Sequence, residues 1–530
     1  MNKWLSKLTP TTAMVGICCM AGAMGNPQQI EAMEASEPNP AFKVMTADQA
    51  PRVYLFRNVK IFDGVSDQLK EADVLVVNNL IRKIGKDLPA TGTYDVDVEA
   101  QQFQQVTVGP SPFDFESGYV IRVPKGDGGV ETKQIPVTVI DGGGRTLMPG
   151  LIEGHGHLQM NGLSIADIES NSTWEQLGVR SAHMADIALK YGFTSWRDAG
   201  GMAAGLRKSI DAGHATGPRI YPSGAFIGPS GSHADFRSLT MPNETINGTQ
   251  SNGGRLGISI TADGVDAIKA AGRQNFMQGA TQIKIMSSGG VVSQFDPWQL
   301  DAYSAEEIRA AVEVAEAYHS YVMSHAYSKK SIMRCLENGV KTIEHCFMFD
   351  GDVAALMKKK EAFMTTNMQA FSPELAKVGA ISASPAAARK AASAQKAFAN
   401  YVENVKKYRP KLGYQNDFVG NDEQVYQKQA FHQVWLGAHF FGNHYYLKSL
   451  TSVNGEILKL CGPVNDPYPE GKIGVIEEGA YADLLLVDGN PLEDISVIGG
   501  NEKWFDAADR DGIETMRIIM KDGVIYKNTL

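Results

Sequence analysis

An apolar run that closes on His155-Gly156-His157 constrains this chain more than any other feature. Residues 147–158 read Leu-Met-Pro-Gly-Leu-Ile-Glu-Gly-His-Gly-His-Leu. Side chains at i and i+2 of a β-strand share a face. The pattern therefore predicts a strand whose end presents two imidazoles side by side. Paired neutral imidazoles are the start of a divalent metal site. Whether the site is complete depends on further ligands at the ends of further strands.

The chain is long enough to supply them. Its 530 residues, 43% hydrophobic and 21% charged, suit a globular protein with a large core and two domains. A formal net charge of -9 argues against a nucleic-acid partner. At the N-terminus, Lys3 and Lys7 precede a small, apolar stretch over 11–21, and Ala21-Gly22-Ala23 has the small-x-small form of a cleavage site. This predicts a signal peptide over 1–25 and a periplasmic or extracellular protein. The apolar run is too short for a stable membrane span. Ile17 precedes Cys18, where a lipoprotein signal wants a small residue. Beyond it lie Cys335, Cys346 and Cys461, an odd set that implies no full disulfide framework.

Residues 26–50 read as a polar linker. From Val53 the pattern is β, with a hairpin over 73–84 around Asn78-Asn79. Residues 87–136 are Gly/Pro-punctuated and read as an insertion, and 137–141 resume the β pattern. After Leu158, strand-like and helix-like segments alternate. Strands are expected at 194–197, 219–222, 282–286, 321–325, 341–344, 362–366 and 412–415. With the opening strand they make eight, which predicts an α/β fold, a (β/α)8 TIM barrel over 148–469. Ser304 and Glu307 form a capping box ahead of the stripe Ile308, Ala311, Val312, Ala315, Tyr318. Residues 386–408 read as one further helix. The tail returns to β at 482–489 and in a hairpin through Asp522-Gly523. Neither chain end can bury its apolar face alone, so 51–147 plus 470–528 are expected to form one small β-sandwich domain.

The other candidate ligands fall at strand ends. Lys284 sits between Ile283 and Ile285, where an ammonium is costly unless its charge is removed or paired. Carbamylation by carbon dioxide would turn it into a carboxylate able to bridge two metals. His325 ends the fifth strand, His345 the sixth, and Asp417 follows the eighth.

The order His-x-His, Lys, His, His, Asp resembles the amidohydrolase superfamily. The segments 147–158, 283–291, 325–327 and 471–495 resemble its imidazolonepropionase-like and Xaa-Pro dipeptidase-like branch. The resemblance implies a binuclear site, usually zinc. His155 and His157 would hold the more buried ion and His325 and His345 the more exposed one. Carbamylated Lys284 would bridge them, and Asp417 would ligate and carry protons. Two positions depart from the usual pattern: Gly156 stands where a larger residue is commoner, and Gln415-Asn416-Asp417 replaces Gly-Thr-Asp. The loop 228–237 resembles a Gly-Gly-His-Gly-Asp loop. By that likeness His233 and Tyr327 contact the substrate carbonyl or carboxylate. Arg237 either pairs with a substrate carboxylate or serves Asp235 as a structural partner. Asp198 is expected to be structural, and His432, Trp435, His439 and His444 either line the site or, as the default, lie on helix surfaces.

The chemistry implied is hydrolysis of an amide or peptide C–N bond by a hydroxide shared between two divalent ions, with Asp417 as general base and then acid. A dipeptide, N-acyl amino acid or related small amide is the expected substrate, and homo-oligomerisation is compatible with the sequence. A deaminase or cyclic-ring hydrolase of the same superfamily would not need Lys284. A secreted binding protein would not need an intact ligand set.

Overall fold

The computed structural model describes residues 51–530 except 100–102, 109–118, 125–129, 161, 202–203, 245, 247, 249, 294, 383 and 420–422. The expected signal peptide at 1–25 and the linker at 26–50 lie outside the described residues.

The two chain ends meet in one eight-stranded sheet. Val53–Ile61 pairs antiparallel with Lys70–Val77, which pairs with Leu80–Gly85. Thr146–Pro149 joins the ends, since it pairs with Val53–Ile61 on one side and with Leu484–Val487 on the other. Met516–Lys521 and Val524–Asn528 complete the edge. Asn78 (φ 54°) and Asp522 (φ 57°) take the left-handed conformation that two-residue hairpin turns demand. The run Leu484-Leu485-Leu486-Val487 is apolar throughout because both faces of this strand are covered. Leu484 and Leu486 face a core with Phe56, Val74 and Ile518, while Leu485 and Val487 join the main core of the molecule. The pairing gives a single sheet, not the two-sheet sandwich expected. The insertion at 87–136 contains two antiparallel ladders, Thr93–Glu99 with Val130–Pro136 and Phe103–Val108 with Tyr119–Pro124.

All eight expected parallel strands are present. Their ladders do not close into a ring, however. Leu151–Gly156, Phe193–Asp198 and Arg219–Tyr221 form one sheet. Ser259–Thr261, Phe226–Gly228, Ile283–Met286, Val322–Ala326, Thr342–His345, Phe363–Thr366 and Leu412–Tyr414 form another. Side-chain amides span both seams. Asn454 Nδ2 donates to the carbonyls of Ile152 (2.8 Å) and Tyr414 (3.0 Å). Gln282 Nε2 donates to those of Asp198 (3.2 Å) and Tyr221 (3.0 Å). The third strand position is broken at Gly224 (φ 71°), so the chain leaves the first sheet at Tyr221 and enters the second at Phe226. The capping box of Ala305–Ala317 forms as the sequence predicts. The helix expected over 386–408 is two helices, Pro385–Ala397 and Tyr401–Tyr408.

A charge network fastens the terminal sheet to the start of the third strand. Arg219 Nε donates to Asp483 Oδ2 (2.9 Å) and Nη2 to Asp522 Oδ1 (2.5 Å). Its guanidinium lies 3.8 Å over the Tyr481 ring. Lys521, also buried, donates to the Gly217 carbonyl (2.8 Å).

Candidate metal centre

Register brings the expected ligands together at the C-terminal strand ends. Met286 stands opposite His325, and Ala326 opposite His345. Ile283 and Ile285 turn into the main core, and Lys284, between them, takes the opposite face. Glu344 and His345 are neighbours in a strand, which would send them to opposite faces. Left-handed backbone at His345 (φ 69°) and Cys346 (φ 49°) breaks that alternation, and Asp417 is left-handed as well (φ 52°). Such conformations cost about 1–3 kcal/mol each and cluster where function needs them.

His155, His345 and Asp417 offer ligand atoms that all lie within 4.8 Å of one another. Asp417 Oδ1 is 3.3 Å from His155 Nε2 and 3.4 Å from His157 Nε2. Lys284 Nζ is 3.3 Å from the same His155 nitrogen. The His325 ring lies 4.5 Å from that of His345, centroid to centroid.

The tautomers show that these residues fit a cation. His157 Nδ1 faces the Gly200 carbonyl at 3.0 Å, which can only accept, so this nitrogen carries the proton. His155 Nδ1 donates to Glu344 Oε2 at 2.8 Å. Both Nε2 atoms then bear lone pairs, and both are aimed at a carboxylate oxygen. Three acceptors facing one point repel unless a cation stands among them, a place open to a metal ion or to the neighbouring Lys284 ammonium. The carboxylate and carbonyl behind the rings are the outer partners that ligating histidines use. His325 follows the same rule, with Nε2 on the Gly289 carbonyl at 3.0 Å and Nδ1 left over. His345 Nδ1 faces the amides of Asn367 (3.0 Å) and Gln415 (2.9 Å).

Burial tunes the ionisation of the cluster. It lowers the basicity of His155 and His325, and brings His345 down to about 3, so these rings keep their lone pairs at neutral pH. Desolvation pulls Lys284 down to about 8, against the opposing pull of Glu344 and Asp417. A free amine is therefore accessible near neutrality.

His233 stacks on His325, with centroids 4.3 Å apart, and the Tyr327 ring lies 4.6 Å from His325. Arg237 is held by its neighbour: Nε and Nη2 reach the Asp235 carboxylate at 2.8 and 2.6 Å. This is the structural alternative of the two weighed from sequence. Asp198 accepts from the backbone and hydroxyl of Ser223, as a structural residue would. His432 is buried, not on the helix surface, and contacts Ser372 Oγ (2.9 Å). With Trp435 and His439 it lines an open groove of about 450 Å3 that none of the cluster residues lines.

Sequence reasoning passed over Glu344, Arg197 and Glu153. Glu344 holds His155 and is itself held by Arg197 Nη2 (2.8 Å) and the hydroxyls of Thr342 and Thr365 (both 2.6 Å). Glu153 accepts from the backbone N–H of His155 (3.0 Å) and Asn416 (2.9 Å), which ties the first strand end to the eighth. The signal was present: each is a charged residue in an apolar strand, the same anomaly that singled out Lys284.

Comparison with known proteins agrees with this geometry. Residues 146–408 match the amidohydrolase family. Ochratoxinase of Aspergillus niger is 32% identical over 220 residues, which cover 40% of this chain and 46% of that protein. The match thus spans about half the length of this curated relative. The structure of a prolidase complexed with N-methylphosphonate-L-proline superposes with a TM-score of 0.70 at 29% identity, covering 90% of this chain and 100% of that one. A Xaa-Pro dipeptidase with bound methionine gives 0.66 at 25%, with the same coverage. Fold and site thus define a TIM-barrel-type α/β protein with a candidate metal-binding cluster. The chain belongs to the amidohydrolase superfamily, in its dipeptidase-like branch.

Proposed function

We propose that this protein is a divalent-metal-dependent hydrolase of an amide or peptide C–N bond, with a dipeptide, an N-acyl amino acid or a related small amide as substrate. The observation that carries the reading is the convergence of the His155 and His157 lone pairs on Asp417. His155 and His157 would hold one ion and His325 and His345 the second, with Lys284 as a carbamate between them and Asp417 as a further ligand. The ions, zinc by family likeness, would supply Lewis acidity to the acyl oxygen and acidify the attacking water. Asp417 accepts the proton of that water and returns it to the leaving nitrogen. His233 and Tyr327 contact the acyl oxygen or a substrate carboxylate. Glu344 and the Gly200 carbonyl keep the His155 and His157 rings in the ligating tautomer. Lys284, with its lowered basicity, offers an amine to carbon dioxide, and forming the carbamate releases one proton. We also infer that 51–147 plus 470–528 and 148–469 are separate domains, and that the protein is exported.

The test is a panel of dipeptides and N-acyl amino acids, with chelated protein and protein reloaded with zinc. Turnover that disappears on chelation and returns with metal supports the reading. Turnover unaffected by complete metal removal would sink it. A high-resolution density map of the metal-loaded protein reads the carbamate at Lys284 independently of activity.

A further inference from the structure

His233 belongs to the loop after Phe226–Gly228, and Gly290 and Asp296 to the loop after Ile283–Met286. The His233 ring lies on that of His325 with the planes 21° apart. Its edge meets the second loop. A Cβ built on Gly290 would stand 2.1 Å from both Nδ1 and Cε1 of His233. That is far inside the ~3.5–4.0 Å of favourable contact, so the imidazole rests directly on the Gly290 backbone. The Gly290 N–H donates to Asp296 Oδ2 at 2.7 Å. That oxygen is 3.9 Å from His233 Nδ1, close enough for charge attraction and too long for a direct hydrogen bond. His233 Nδ1 and Asp296 Oδ1 make no hydrogen bond among the described residues, and Asp296 is only 2% exposed. The loop is itself tied down. Lys390, on the helix Pro385–Ala397, donates to the carbonyls of Ser293 (2.8 Å) and Asp296 (2.7 Å).

We propose that Gly290 and Asp296 are positioning residues for His233. They fix one edge of its imidazole while His325 fixes its face, which leaves the opposite edge turned to the reacting acyl group. The inference rests on the reading in which His233 contacts substrate. A group that must meet a reacting atom gains most from such restraint, since a displacement of about 1 Å can cost ~100-fold in rate. Gly290 is not in the left-handed region, and the nearest atoms an alanine Cβ would meet there are all in the His233 ring.

The test is a pair of double-mutant cycles, which isolate coupling between residues. Gly290→Ala should lower kcat/KM by ~100-fold in the native background. In a His233→Ala background the same change should cost less than about threefold, because the displaced ring is gone. Asp296→Asn, which keeps the acceptor for the Gly290 N–H, should lower kcat more than it raises KM, and its cost should also vanish with His233→Ala. Lys390→Arg should retain more activity than Lys390→Ala. Equal fold-losses in both backgrounds would overturn the proposal. Crystal structures read the geometry without turnover: the His233 ring should be displaced in Gly290→Ala with His325 unmoved, and a ring still in place would refute the idea. Absence of turnover in the unsubstituted protein would count against the hydrolase reading alone, because those structures would still decide the positioning.

Discussion

Two buried clusters of charge lie at opposite ends of the barrel strands. At the N-terminal end of the third strand, Arg219 meets Asp483, Asp522 and the Tyr481 face, and each charge is answered by its opposite. At the C-terminal ends, four imidazoles, one lysine and one aspartate come together, and the His155 and His157 lone pairs are aimed at the Asp417 carboxylate. The first cluster is complete as it stands. The second sets the acceptors of His155, His157 and Asp417 against one another beside Lys284, a group that could hold a metal ion. The difference separates a structural network from a site. Burial and charge are common to both, and what distinguishes them is whether the polar atoms satisfy each other.

Substitutions can break this contrast. The largest effect is expected from His155→Ala, which should lower amide turnover on the order of a thousandfold or more and reduce bound metal in elemental analysis. Its thermal midpoint without metal should also fall, because the buried ring leaves a cavity and takes its hydrogen bond from Glu344. Wild-type turnover in this variant would remove the cluster from the chemistry. Glu344→Gln probes both behaviours at once. Metal affinity should fall ~10–100-fold as the His155 ring loses its carboxylate. Stability should fall by about 3–5 kcal/mol as Arg197 is left buried without its partner. A metal titration and a urea melt read the two effects separately, and unchanged affinity would break the link between Glu344 and the site.

Arg219→Met should behave in the opposite way to His155→Ala. It strands Asp483 and Asp522 and should cost about 3–5 kcal/mol in a urea melt. Turnover per folded molecule should stay within about twofold, since the network is remote from the reacting groups. A large fall in kcat with intact stability would show that the two ends are not independent. The smallest effect belongs to Arg237→Ala. Its guanidinium is closed on Asp235, so the change should leave KM for a carboxylate-bearing substrate nearly unchanged. A large rise in KM would mean that Arg237 leaves Asp235 when substrate binds.

Much of the fold was legible because its signals are local. Alternating apolar strands, the Ser304–Glu307 box and the Asn78 and Asp522 turns depend on near neighbours, and all formed. The ladders within 87–136 were missed because Gly and Pro punctuate the segment, although Tyr94, Val96 and Val98 alternate with polar neighbours. The break between Ala397 and Tyr401 was missed because Phe398-Ala399-Asn400 contains no Gly or Pro to mark it. The ligand candidates were legible for a different reason. A histidine or lysine in an apolar strand is expensive, so its presence asks for a cause.

By itself the sequence determined which residues must be inside and which of them could not rest there unpaired. That followed from periodicity and from the cost of burying charge. It also determined that the two chain ends would share a sheet, because each leaves an apolar face uncovered. Only the tertiary structure decided which buried charges answer one another. Arg219 finds Asp483 across 264 positions of chain, and His155 finds Glu344 across 189. It alone decided that the strand ladders stop short of a ring and that Asn454 and Gln282 bridge the gaps. It alone decided that Arg237 is held by Asp235, and that His233 lies on Gly290. Hydrogen bonds and contacts of this kind depend on distances of a few tenths of an ångström between residues far apart in the chain. Hydrophobic pattern carries no record of such distances, because burial constrains the face on which a residue sits and not the partner it meets there.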